Sequence, residues 1–190
     1  SFAGTLMVEG RYQEKPETPC VPGAEVAGEV WALGEGVKGV EIGQRVIALV
    51  STGGFAEIAL ANAATLIPLP EGIAFTDAAA FTIAYGTSHV ALETRAQLKS
   101  GETLMINGAS GGVGLTAVEI GKQMGATVIG LASTEAKREL VRSRGADHVF
   151  DVADPELREK LRPNYRAGCK RLVLAEGFYQ ALQGLVRLPI

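Results

Sequence analysis

Cysteine and histidine are scarce in this sequence, which limits the chemistry open to it. Its 190 residues include two cysteines and two histidines. Cys20 and Cys169 stand far apart with no partner pattern, which excludes a disulfide framework and makes a reduced, cytoplasmic compartment the default. Neither cysteine shares zinc-site spacing with His89 or His148. No apolar run is long enough to span a bilayer; the alanine-rich stretch at Ala78 is interrupted by Asp77. The net charge is −3, with no basic patch and no interleaving of aromatic and basic residues, so a nucleic-acid partner is not expected. No signal-peptide pattern, internal repeat or low-complexity tract is present. The first residue is Ser1 rather than Met, so a preceding segment is expected in the native protein.

Glycine, by contrast, is abundant, at 24 residues, and its densest run is the most informative stretch of the chain. Thr103-Leu-Met-Ile-Asn107 reads as a buried strand, Gly108-Ala-Ser-Gly-Gly-Val-Gly114 as a tight turn, and the residues up to Gly125 as an amphipathic helix. Val113, Ala117, Ile120 and Met124 recur at helical spacing, and Gly125 is a helix stop. Ala126-Thr-Val-Ile-Gly-Leu131 then reads as a second strand, completing a βαβ unit. Glycines in such a turn let the main chain approach a ligand, and the helix start presents unpaired N–H groups and its positive end. That combination suits a dinucleotide pyrophosphate. Ala109 departs from the strict G-x-G-x-x-G pattern, whose other places are Gly111 and Gly114.

The end of the second strand bears on cofactor choice. NAD sites carry an acid there for the ribose 2′-hydroxyl. Here the stretch is Leu131-Ala-Ser-Thr134, and Glu135 comes one step later, where an acid is favoured by the helix dipole in any case. Ser133, Lys137 and Arg138 are placed to meet a 2′-phosphate; the competing reading of Lys137 and Arg138 is a solvated helix face. NADPH is therefore the expected cofactor.

Up to about Pro70 the chain has short runs, Ala24–Trp31, Gln44–Val50 and Phe55–Leu60, separated by glycine turns, which suits a small, mostly β, barrel-like domain. Thr76-Asp77 reads as a cap for a helix at Ala78–Phe81, and a second helix follows Gly86. Beyond the βαβ unit we expect a helix from Glu135 to Arg144, a strand at His148–Val152, a helix at Pro155–Arg162, a strand at Arg171–Ala175 and an amphipathic helix at Gly177–Leu188. The fold class is α/β.

Several short segments together resemble the zinc-independent, NADPH-dependent quinone oxidoreductases (the ζ-crystallin-like group) of the medium-chain dehydrogenase/reductase superfamily. They are Phe2-Ala-Gly-Thr-Leu-Met with Gly10-Arg-Tyr12, Pro22-Gly-Ala-Glu25 with Gly28-Glu-Val30, Gly43-Gln-Arg-Val46, Gly54-Phe-Ala-Glu57, Ala84-Tyr-Gly-Thr-Ser88, Gly108–Gly114 and Gly145-Ala-Asp-His148. The resemblance implies a GroES-like β-barrel domain over residues 1–85 and a Rossmann-type parallel sheet of about four strands over 86–190, with substrate and nicotinamide between them. It implies Gly111, Gly112 and Val113 at the pyrophosphate, Ser133 and Lys137 at the 2′-phosphate, Thr87 near the nicotinamide and Tyr12 in the substrate pocket. Thr87 bonding only within its own helix and Tyr12 as a rim aromatic are the competing readings. The zinc branch of the superfamily has Gly-His-Glu where this chain has Gly23-Ala24-Glu25, and alanine cannot ligate, so no metal is expected. Without a Lewis acid, hydride transfer calls for an electron-poor acceptor, a quinone or an α,β-unsaturated carbonyl.

Three positions depart from the pattern, Ser1, Gly4 and Val152. Ser1-Phe2-Ala3-Gly4 replaces Asn-Phe/Tyr-x-Asp, and Val152 replaces a tyrosine near the 2′-phosphate. Family members extend beyond both ends of this sequence, so both domains are expected to be incomplete. An unfinished sheet would leave an open edge, a route to association such as a homodimer. Two other functions stay open at this point: a non-catalytic NADP-binding remnant and an enoyl thioester reductase.

Overall fold

A computed structural model of the chain describes residues 2–154 and 185–187. The chain divides into two compact units, Ser1–Ile83 and Ala84–Ile190.

The first unit opens with helix α1 (Phe2–Val8). Its sheet is antiparallel, in the order β1 (Glu25–Glu29), β2 (Arg45–Leu49), β3 (Ile67–Pro68). Glu25 faces Leu49, Ala27 faces Ile47 and Ile47 faces Ile67 across the strands. A small core joins Ile47, Leu69 and Ala78, with Ala27 and Phe75 against it. Arg45 ties β2 to the following loop: its guanidinium donates to the carbonyls of Pro70 (3.0 Å) and Ile73 and lies 4.7 Å over the Phe75 ring. The expected strand at Phe55–Leu60 does not form. The run folds as bends, and Phe55 N–H instead donates to Pro22 (2.9 Å), so the glycine turn, not a ladder, takes up its backbone. Helix α2 spans Phe75–Ala78 with Ala74 at its N-cap, so Thr76 and Asp77 lie inside the first turn and do not cap it. Asp77 still favours the helix there through the dipole.

Helix α3 (Phe81–His89) starts before Gly86, earlier than expected, and continues as a π-helical turn over Val90–Arg95. An early start is stabilised at Ile83, whose N–H donates to the Glu25 carboxylate at 2.9 Å. A carboxylate is favoured at that end of a helix.

In the second unit β4 (Thr103–Asn107), α4 (Gly112–Gln123), β5 (Thr127–Ala132), α5 (Glu135–Ser143) and β6 (His148–Asp151) alternate. Strands β6, β5 and β4 are parallel neighbours, with Asn107 opposite Leu131 and Ala132 opposite Asp151. Leu104, Met105 and Ile106 are buried in succession, as a strand covered on both faces requires. The core gathers Ile106, Ala117, Val118, Val128 and Val141. The buried face of α4 is Thr116, Ala117, Val118 and Gly121, turned from the face read in the sequence; Ile120 and Met124 pack only at its margin. Glycine sets this closeness. A Cβ at Gly121 would lie 2.6 Å from Leu104 Cδ2, and one at Gly130 2.5 Å from Val141 Cγ1.

The tail differs from the sequence expectation. Leu185–Arg187 form a strand, β7, not part of a helix, antiparallel to β4 with Met105 opposite Val186. The main-chain groups along the outer edge of β4 gain ladder partners this way, which outweighs the helical spacing of the tail. The β4 edge is therefore paired along Leu104–Ile106, and among the described residues the sheet has three parallel strands and one antiparallel. The expected helix at Pro155–Arg162, the expected strand at Arg171–Ala175 and residues 177–184 of the expected tail helix lie outside the described residues. Among the described residues no helix is long and apolar enough to cross a membrane.

Candidate nucleotide-binding site

The turn between β4 and α4 is built by three glycine roles. Gly108 has φ +67°, a conformation that side chains with a Cβ adopt rarely, and it turns the chain out of β4. Its carbonyl accepts from Gly111 N–H at 3.0 Å. Gly114 lets the helix sit on that turn: a Cβ there would be 2.4 Å from the Gly108 oxygen and 2.8 Å from Ala109 Cα. Gly112 has neither constraint, since a Cβ on it would meet nothing within 4 Å, and Gly111 has only ordinary contact at 3.4 Å. Both are exposed. Ala109, the departure from the glycine pattern, is fully buried, and its N–H donates to Leu131 at 3.0 Å. Its methyl group is part of the core, so a side chain at this place costs the turn nothing.

Gly111 is the N-cap of α4, and no side chain caps it. The first intrahelical bond runs from Leu115 N–H to Gly111 at 2.8 Å, so the N–H groups of Gly112, Val113 and Gly114 have no helical acceptor. Exposed main-chain donors at the positive end of a helix, bare of side chains, fit a diphosphate. The open space at Gly112 is the observation that makes the fit: bare backbone is kept where no packing demands it.

The helix start is held from behind by a buried hydroxyl pair. Ser88 Oγ, fully buried on α3, lies 2.8 Å from the Val113 carbonyl and 2.7 Å from Thr116 Oγ1. Thr116 Oγ1 also reaches the carbonyls of Val113 (2.9 Å) and Ala84 (3.1 Å). Two hydroxyl protons serve these four contacts, so at most two of them are donations at once. Thr87, half-buried, is the neighbour of Ser88 on α3. Ser88 was not singled out in the sequence; a small hydroxyl residue inside the otherwise apolar α3–α4 contact is the signal that would have found it.

Because β4 and β5 are parallel neighbours, the turns at their carboxyl ends share one edge of the sheet, where α/β proteins bind ligands. Ser133 follows β5 directly and is exposed. Thr134 caps α5, its Oγ1 accepting from Lys137 N–H at 3.4 Å. Lys137 is exposed in the first turn, and no ion pair holds its ammonium among the described residues. Arg138 is committed elsewhere: its guanidinium bonds Glu135 (2.8 and 3.0 Å) and Asp151 (2.8 Å). Glu135 is likewise taken up by Arg138 and Arg142, whose hydrogen bonds hold its carboxyl below the usual range. Tyr12 belongs to the first unit, half-buried in the loop after α1, with its N–H donating to Leu6 at 3.1 Å. The second unit thus brings Gly111, Gly112, Val113, Ser133 and Lys137 to one sheet edge, and sets Thr87 beside the residue that holds that edge's helix.

The alcohol dehydrogenase GroES-like domain family matches residues 3–71, and the zinc-binding dehydrogenase family matches residues 112–170. Quinone oxidoreductase of Homo sapiens is 38% identical over 159 residues, 83% of this chain and 48% of that protein. Its two matched domains are those of the medium-chain dehydrogenases/reductases, and among these it is similar to the quinone oxidoreductases. A second relative, the quinone oxidoreductase-like protein 2 homolog of Nematostella vectensis, is 37% identical over 164 residues, 85% of this chain and 45% of that protein. Among solved structures, quinone oxidoreductase of Escherichia coli complexed with NADPH aligns with a TM-score of 0.79 at 31% identity, over 85% of this chain and 49% of that one. The chain spans about half the length of the relatives it matches.

Several motifs shared with the family are scaffold in this chain. Gly23 (φ +103°) and Gly54 lie against each other, a Cβ on Gly23 falling 2.8 Å from Gly54 Cα, so the Pro22–Glu25 and Gly54–Glu57 segments are locked backbone to backbone. Asp147 of the Gly-Ala-Asp-His segment holds Lys122 and Val128. Ala24, between Gly23 and Glu25, has no donor atom in its side chain. Among the described residues no three His, Cys, Asp or Glu side chains gather as a metal-holding group.

Proposed function

We propose that this chain is the greater part of the nucleotide-binding machinery of an NADPH-dependent reductase that delivers hydride to a quinone or an α,β-unsaturated carbonyl without zinc. The observation that carries the reading is the bare, uncapped start of α4 at Gly111 and Gly112, beside a β5 tip with Ser133 and Lys137 but no free acid. The main-chain N–H groups of Gly112 and Val113 receive the pyrophosphate, and Ser133 and Lys137 receive the 2′-phosphate, Ser133 by a neutral hydrogen bond and Lys137 by charge. Thr87 orients the nicotinamide, which when bound supplies the hydride. Tyr12 lines the substrate pocket and donates a hydrogen bond from its phenol to the oxygen that gains charge. Ala24 supports the zinc-free part of the reading, since it removes a ligand that the zinc branch uses. A small-molecule acceptor, a cytoplasmic location and a homodimer complete the proposal.

The test is paired. Fluorescence titration with NADPH and NADH is expected to show tighter binding of NADPH. Oxidation of NADPH is then followed with benzoquinone, a simple enone and an enoyl thioester. Turnover on the first two supports the reading. Turnover on the thioester alone assigns an enoyl reductase, and binding without turnover on any acceptor assigns a non-catalytic NADP-binding protein.

A further inference from the structure

Arg138 lies at the same sheet edge as Ser133 and Lys137, yet its guanidinium is turned to carboxylates. Nε and Nη2 donate to Glu135 Oε2 at 3.0 and 2.8 Å, and Nη1 lies 2.8 Å from Asp151 Oδ2 and 3.5 Å from the Ala132 carbonyl. Ala132 and Asp151 face each other across the last rung of β5 and β6, so the guanidinium closes that rung from the α5 side. Its side chain is only 16% exposed, while Asp151 is 39% and Glu135 68% exposed. Asp151 is fixed from its other oxygen as well, Oδ1 accepting Ala153 N–H at 2.8 Å. Ser133 is the next residue after Ala132, and Lys137 adjoins Arg138 on α5.

Charge makes this arrangement consequential. Two carboxylates, Glu135 and Asp151, flank the corner assigned to a phosphate dianion. Each would oppose that dianion if left unpaired, and the opposition is larger near low-dielectric protein than in bulk water. One planar guanidinium bridges both, which an ammonium cannot do with the same geometry. We propose that Arg138 is a positioning residue that sets the preference for NADPH over NADH, pairing Asp151 and, together with Arg142, Glu135 beside the 2′-phosphate while leaving Lys137 as the cation that meets it. This inference rests on the cofactor reading above. Arg138 itself makes no phosphate contact in this assignment; it acts through the two acids and through the closure of the β5–β6 rung.

The experiment is a fluorescence titration of NADPH and NADH into the full chain and into R138Q, D151N and the R138Q/D151N double variant, with a thermal melt of each. R138Q is expected to weaken NADPH binding by about five- to tenfold and NADH binding by less than about twofold, since only NADPH carries the added dianion. D151N in the R138Q background is expected to restore most of the lost preference. D151N alone, which removes the opposing charge and leaves the arginine, is expected to raise the NADPH-to-NADH affinity ratio; it keeps the idea testable if R138Q does not fold. Equal losses of both cofactors in R138Q, an absent rescue in the double variant, or an unchanged or lowered ratio in D151N would overturn the inference and leave the NADPH reading standing. A parent protein that binds NADH as tightly as NADPH would overturn that reading and this inference with it.

Discussion

Asp147 takes the Lys122 ammonium on both carboxylate oxygens, at 2.7 and 2.8 Å. The same carboxylate accepts the Val128 N–H at 2.6 Å, so one side chain joins the end of α4 to the start of β5. Lys122 also reaches the Ala126 carbonyl at 3.3 Å, closing the connection between helix and strand. The register of the βαβ unit is held at the end opposite its glycine turn.

Removing that carboxylate leaves a main-chain donor on a fully buried residue without its partner. Asp147→Ala is expected to destabilise the fold by about 1–3 kcal/mol, the cost of an unsatisfied buried group. Chemical denaturation measures the loss, and faster hydrogen exchange at the Val128 amide locates it. An unchanged midpoint with unchanged exchange would contradict the role.

Acid should weaken the protein through two carboxylates. Hydrogen bonds from Lys122 and then Val128 hold Asp147 below its ordinary value. Burial pushes Glu119 up, but hydrogen bonds from Tyr85 and Arg144 outweigh it and leave that carboxyl lowered too. A folded-state value below the unfolded one contributes stability that is fully present above the unfolded value, about 3.9 for Asp and 4.3 for Glu, and is lost as pH falls through the folded value. The melting temperature is therefore expected to hold from neutral pH to about pH 5 and to fall steeply below about pH 4. Asp147→Asn should flatten that fall. A melting temperature that stays level down to about pH 2.5, in the range where carboxylates protonate, would count against both pairs.

Two glycines of one turn should respond oppositely. Gly112→Val is expected to fold as the parent does, because a Cβ there meets nothing within 4 Å, and to lose most of its NADPH affinity. Gly114→Ala forces a Cβ to 2.4 Å from the Gly108 oxygen and is expected to lower stability by about 1–3 kcal/mol or more. Melting and nucleotide titration of both variants separate the effects. Parent-like NADPH binding by folded Gly112→Val would remove the phosphate site from this turn.

The Ser88–Thr116 pair is a buried polar contact in an apolar setting. Thr116→Val keeps the shape and removes the hydroxyl, leaving Ser88 Oγ and the Ala84 carbonyl each short of a partner. A loss of about 1–3 kcal/mol is expected. Thr116→Ser, which keeps the hydroxyl, should recover a large part of it. Weaker nucleotide binding by Thr116→Val at a temperature where it is folded would tie the pair to the helix start as well as to stability.

Much of the second unit was readable from residue order. The strand, turn and helix from Thr103 to Gln123 form where the residue order places them, although α4 buries a different face, and α5 starts at Glu135 as read. What could not be read was where long-range partners lie. Arg138 looked equal to Lys137 as a phosphate contact, and only the approach of β6 brings Asp151 to it. Phe55–Leu60 has strand-like composition, yet Phe55 N–H donates to Pro22, next to the bond from Gly54 N–H to Gly23. The tail at Leu185–Arg187 has helical spacing but meets the edge of β4.

Local stereochemistry resides in the chain itself. Glycine is needed wherever φ is positive or a neighbour leaves no room, and a buried strand between two layers is apolar throughout, so the βαβ unit and its bare turn follow from residue order alone. Which charged group is spent on another, and which stays available for a ligand, depends on distances between segments far apart in sequence. Those distances exist only once the sheet has formed, because ion pairs act within a few ångströms and the sequence carries no measure of that separation.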